Sequence, residues 1–421
     1  MTILIREVQI ISPGSTFHRK KIDVLIEGGM IIQIKKNISV RSNYKVIEEE
    51  GLCASPGWMD LQAVSGDPGL EFKEDLDSLI ACAAAGGFTA VCVHNYNQPA
   101  LHSKTQIEYI LNKTRNKIVD IYPLGTITVE GKGKDLAEMY DMKQSGALAF
   151  SDHKHPIKDA GMVMRALQYA ENTGSFIMTH CNDTSISGGG QMNEGEVSTS
   201  LGLKGIPALA EELMIERNLS ILNYTGGRLH IPTISTKGSL DLIRKAKNAG
   251  LIVTCGVAAA NLLLDDSFLR EFDTNYKLDP PLRNKKDVQA MRAGVESGVI
   301  DVIVSDHVPQ DTESKELEFD LADTGIINLQ TAFSCALEAL KEKNLDVLVE
   351  AISNRPRQIM GLPAAVVEEG RDVNLTLFNP ATVTEFNTRS NRSHSGNSPF
   401  FNQKLQGRVV GIIKGSKSYF N

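Results

Sequence analysis

Four of the nine histidines stand close behind short apolar runs: His94, His153, His155 and His180. Asp306 does the same at the end of DVIVSD (301–306). Imidazole nitrogens and a carboxylate can hold a catalytic zinc ion, which needs only three protein ligands and one open position. Such an ion lowers the pKa of bound water from about 15.7 to about 7, and so supplies hydroxide. A carboxylate beside it can take the proton. A mononuclear hydrolytic site is therefore one reading of these residues. The plainer one has His180 and Asp306 hydrogen-bonded to each other or to water, with His94 and His155 as ordinary mouth or loop residues. Cys181 follows His180 directly, but a thiol is a nucleophile only where its pKa is lowered, and a buried thiol is inert. Asp152 has the residue type of a loop or helix cap. His230 and His307 read as satisfied core or supporting residues. GGGQMNEG (188–195) lacks the GK[ST] ending of a phosphate loop and reads as a loop leading into a helix. Glu71, Lys73, Glu74 and Asp75 read as a solvated helix start, with acids favoured there by the helix dipole.

These residues need a scaffold that brings distant positions together. Eight apolar runs alternate with amphipathic stretches: 56–62, 89–93, 117–125, 146–150, 175–180, 227–231, 251–255 and 301–306. Several of the helical stretches end in Gly, as a helix C-terminus prefers. The alternation predicts an α/β fold, a (β/α)8 TIM barrel over 52–360. In that fold the chemistry sits at the C-terminal strand ends. The mouth positions are then Gln62, Val64, His94, Asp152, His153, His180, Thr233 and Asp306. Residues 1–51 and 361–421 carry short alternating strands and predict one small β-sandwich-like domain made from the two termini. With 44 basic against 51 acidic residues the net charge is −7. This argues against nucleic acid and against a basic membrane-binding face. No apolar run approaches the ~20 residues of a membrane span, and the N-terminal residues do not read as a signal peptide. The six cysteines form no CxxC pair, which excludes a structural zinc finger and fits free thiols in a reducing cytoplasm.

The motifs at the strand ends resemble those of dihydroorotases, in the amidohydrolase superfamily. HCND (180–183), GGGQMNEGEVSTSLGLKGIPALAEE (188–212), TGGRLHI (225–231), TNYKLDPPLR (274–283), IDVIVSDHVP (300–309) and EFDLADTGI (318–326) follow in family order. AAAGGFTAV (83–91), NSPF (397–400) and GRVV (407–410) extend the likeness over nearly the whole chain. The resemblance implies pyrimidine biosynthesis, one or two zinc ions, and hydrolysis or closure of a cyclic amide.

It also implies which positions hold the metal, and this sequence departs from most of them. DLQAVSGDPG (60–69) places Gln62 and Val64 where the family has an HxH pair. His153 stands at the bridging position after strand four, and Thr233 replaces a histidine after strand six. His180 and Asp306 survive, Asp306 at the position of the general base. Among substrate-binding positions, Gly66 stands for an arginine, Tyr96 and Asp279 for asparagines, and Gln310 for a histidine. Replacing the arginine removes a bidentate carboxylate clamp.

Two expectations follow from the resemblance. One is a dihydroorotase-like pseudoenzyme without cofactor or turnover, acting as a structural or regulatory partner of aspartate transcarbamoylase. The other is an active cyclic amidohydrolase with a rebuilt site for one zinc ion, using His153, His180 and Asp306. Either is compatible with a cytoplasmic homodimer.

Overall fold

The computed structural model describes residues 2–341 and 345–421. Its centre is a ring of eight parallel strands: Trp58–Val64, Phe88–His94, Asp120–Pro123, Phe150–Ser151, Ile177–Met178, Leu229–Ile231, Val253–Ala258 and Val302–Val304. The first three pair in order and the last five pair in order. Isolated parallel bridges, Ala63 to His307 and Gly125 to Phe150, join the two sheets into a closed barrel. The strands are buried on both faces, which is why they read as nearly continuous apolar runs. Met59 and Leu61, Ala90 and Cys92, and Val302 and Val304 lie two residues apart and share one core cluster. That period-two pattern fills the inside of the barrel. A larger cluster lies between the strands and the surrounding helices.

Local sequence sets the helices. Asp75 caps Leu76–Ala85 by accepting from the Ser78 N–H at 2.7 Å, and the Ser78 hydroxyl faces back to the Asp75 N–H. This reciprocal arrangement satisfies two otherwise orphaned donors. The helix that ends the barrel is Asn354–Ile359.

Both chain ends meet in one eight-stranded sheet, in which Thr2–Ile10, Cys53–Pro56 and Asn374–Phe386 lie next to one another. Ile3, Ile5, Val8, Ile10, Leu375 and Leu377 share its core. Cys53–Pro56 pairs with Asn374–Phe386 and with Thr2–Ile10. The terminal sheet therefore extends to Pro56 rather than stopping at 51, and the barrel begins at Trp58. Among the described residues, no helix is long and apolar enough to cross a membrane.

Candidate active site at the barrel mouth

The strand ends deliver the expected positions to one mouth. Gln62 and Val64 close the first strand, and both are buried. His94 ends the second; its Nε2 lies 2.8 Å from the Leu61 carbonyl and donates to it. His153 follows strand four, His180 strand five, Thr233 strand six and Asp306 strand eight. The backbone is left-handed at His153 (φ 54°) and at Asp306 (φ 50°). Non-glycine residues carry a cost of order 1–3 kcal/mol there, and such positions cluster at functional sites.

One residue organises the charge. Lys154 extends its ammonium to the Asp306 carboxylate, at 2.8 Å and 2.9 Å from the two oxygens. It also donates to the Asp279 carbonyl. His180 Nε2 lies 3.1 Å from Asp279 Oδ2. Burial alone would raise the Asp279 carboxyl, but His180, Lys154 and Arg283 outweigh it and hold the group at about 2. The His153 ring lies 5.5 Å from that of His94 and 6.0 Å from that of Tyr96, and neither of its nitrogens has a hydrogen-bond partner. Burial, then the charges of His94 and Lys154, press its pKa well below the usual imidazole range, so the ring is neutral. His180 and Asp306 are thus not bonded to each other: Asp279 and Lys154 intervene as their separate partners.

A cavity of about 190 Å3 opens over His153, Lys154 and Asp306, and Tyr96, Asp279 and Gln310 line it too. It adjoins a wider one of about 890 Å3, with which it shares Tyr96, His155 and Asp323. Gln310 accepts from Lys73 Nζ at 2.6 Å and donates to the Tyr96 hydroxyl at 3.0 Å. Gly66 stands apart from both cavities. Its carbonyl accepts from the Leu70 N–H at 2.6 Å, and a Cβ at 66 would fall on the Leu70 carbonyl oxygen. The loop has closed over the space a longer side chain would need.

A sequence profile described as dihydro-orotase-like matches residues 52–239. The dihydroorotase of Citrifermentans bemidjiense is 38% identical, with 100% of each chain covered. That of Geobacter sp. strain M21 is 37% identical, over 100% of this chain and 99% of its own. The chain belongs to the dihydroorotase family. Solved structures agree on the fold. An L-hydantoinase (dihydropyrimidinase) from Arthrobacter aurescens superposes with a TM-score of 0.82 at 20% identity, over 99% of this chain and 95% of its own. A D-hydantoinase gives 0.82 at 21%, over 100% and 95%.

The metal positions of a dihydroorotase do not fit a zinc ion in this chain. Val64 offers no lone pair, and the Gln62 amide oxygen and Thr233 hydroxyl are poor zinc ligands beside imidazole. The ligand atoms of His153, His180 and Asp306 do not all lie within 4.8 Å of one another. Among the described residues, the one trio whose ligand atoms all lie within 4.8 Å is Glu74, Cys82 and His307. The Lys154 ammonium sits on the carboxylate that a divalent ion would share. The Glu74 trio is wired for hydrogen bonds instead. His307 Nδ1 accepts from the Asn328 and Leu329 backbone N–H groups at 3.1 Å and 3.4 Å. Its proton therefore lies on Nε2, which faces Glu74 Oε2 at 3.5 Å. The Ser78 and Ser393 hydroxyls occupy the two Glu74 oxygens.

Other residues take quieter roles. Asp152 accepts from the Ile127 and Thr128 N–H groups at 2.8 Å and 3.0 Å and from the Thr128 hydroxyl at 2.6 Å, so it caps a loop. Burial pushes the Cys181 thiol up to about 12. His230 Nδ1 contacts the Thr254 hydroxyl at 2.8 Å. The segment 71–75 is not a solvated helix start throughout. Asp75 is a cap, but Glu74 and Lys73 are buried: Lys73 Nζ donates to Gln310, and Glu74 accepts from the Ser78 and Ser393 hydroxyls. Sequence reasoning missed Lys154 and Lys73. The signal for Lys154 was its place in SDHKHP, directly after the bridging position.

Proposed function

We propose that this dihydroorotase-family chain serves pyrimidine biosynthesis as a binding protein and does not turn over dihydroorotate. The carrying observation is the Lys154–Asp306 ion pair. It neutralises the carboxylate of the general-base position with a fixed internal cation, where hydroxide would have to be made. The closed loop at Gly66 supports the same reading, because no carboxylate clamp fits there. The partner proposed is aspartate transcarbamoylase, in a cytoplasmic assembly of homodimers. The test is the interconversion of N-carbamoyl-aspartate and dihydroorotate by the purified chain, with zinc added. No rate above buffer supports the proposal; metal-dependent turnover refutes it.

A second reading is an active cyclic amidohydrolase with a rebuilt single-zinc site. It is favoured by the unpartnered nitrogens of His153 and by full-length relatives named dihydroorotase. It requires Lys154 to swing off Asp306 and release that carboxylate to the metal. Under this reading the assay gives turnover that His153→Ala abolishes.

A further inference from the structure

A third cavity, of about 410 Å3, lies at the end of the barrel opposite the mouth. Its lining comes from residues that precede the strands: Phe176, Arg228, Ile252 and Asp301 stand just before strands five, six, seven and eight. Two arginines face it. The Arg228 guanidinium lies over the Phe176 ring, 4.6 Å from its centroid, and spends one donor on the Ile359 carbonyl at 2.6 Å. Arg355, on Asn354–Ile359, has a buried Nη1 with no hydrogen-bond partner. Neither arginine makes an ion pair within 4.0 Å among the described residues. Glu350 lies near enough to feel the Arg355 charge but does not line the cavity. The carboxylate that does, Asp301, is already committed. Both its oxygens take Lys247 Nζ at 2.7 Å, and one also accepts from the Cys255 N–H at 2.7 Å.

The result is a concave pocket whose lining holds two guanidinium groups and one carboxylate, Asp301, already paired, in a chain whose net charge is −7. Planar guanidinium forks match the oxygens of a phosphate group. The apolar side formed by Phe176 and Ile252 suits the organic body of such a molecule, and the volume lies in the usual range for small-ligand sites. We propose that this cavity binds a small phosphorylated metabolite, with Arg228 and Arg355 holding its phosphate. The proposal goes beyond the reading of the mouth and does not depend on it.

The test is calorimetric titration of the full chain with inorganic phosphate and with pyrophosphate, in buffer free of other oxyanions. One saturable site is expected. Arg355→Gln and Arg228→Gln weaken it at least about tenfold, as loss of a charge-assisted hydrogen bond does. Ile252→Glu places a carboxylate at the cavity wall on a residue that is 61% exposed, and abolishes binding without disturbing the core. That variant decides the matter if an arginine variant fails to fold. Lys132→Met, beside the mouth, leaves the affinity unchanged. No saturable binding, affinity untouched by Ile252→Glu, or binding lost in Lys132→Met each overturns the proposal.

Discussion

Lys154 and Asp306 are mostly buried, with side-chain exposures of 16% and 10%. A buried pair of this kind adds little over an apolar pair of the same shape, yet breaking it strands a charge. Lys154→Met should therefore cost about 3–5 kcal/mol at neutral pH, the range seen when one partner of a buried pair is removed. The double variant Lys154→Met/Asp306→Asn should recover most of that loss. Urea unfolding of the four proteins in the cycle measures both. Equal stability of wild type and Lys154→Met would mean that the pair is solvated and does not define the mouth. The lysine's place beside the bridging position was legible in the sequence, but its ion pair was not. Its reach to Asp306 depends on the left-handed turn at His153, which no local pattern announces.

The barrel strands were legible because burial on both faces leaves an apolar run, and each run ends beside a mouth residue. Loops carried no such signal. The loop after strand one is closed by two backbone bonds, Leu70 N–H to the Gly66 carbonyl and Gly66 N–H to the Glu74 carbonyl at 2.8 Å. Those contacts make Gly66 a packing requirement as well as a lost arginine. Gly66→Ala should cost about 1–3 kcal/mol, as overpacking does, and lower the melting temperature by several degrees. Gly66→Arg should destabilise at least as much. A melting temperature unchanged in Gly66→Ala would show the loop to be open. Cys53–Pro56 was misplaced for a related reason: a strand just before a barrel looks like part of it until its partners, at both ends of the chain, are seen.

At the scale of the whole molecule, stability should depend on pH through histidines that stay neutral when folded. Burial, opposed by the bond to Leu61 and reinforced by Lys154, lowers His94 from 6.5 to about 4. Burial, with His94, Lys247 and Arg228, lowers His230 to about 3. A depressed histidine contributes stability above pH 6.5 that is lost as pH falls toward the folded value, because the unfolded chain binds the proton first. For His94 the loss is of order 3 kcal/mol between neutral pH and about pH 4. Asp60 and Asp152, raised to about 6 by burial against their hydrogen bonds, act in the opposite sense. Their contribution is present below pH 3.8 and lost as pH rises through 6. The difference between wild type and His94→Gln isolates the histidine. It should shift in favour of the wild type as pH rises from about 4 to 6.5, and parallel stability curves would contradict it.

The central claim is that an internal lysine, rather than a divalent ion, balances the charge at the barrel mouth. Elemental analysis of zinc in protein purified without chelator or histidine tag tests it most directly. The account predicts far less than one zinc per chain, unchanged by His180→Ala. One zinc per chain that disappears in His180→Ala would contradict it and restore a metal centre to this mouth.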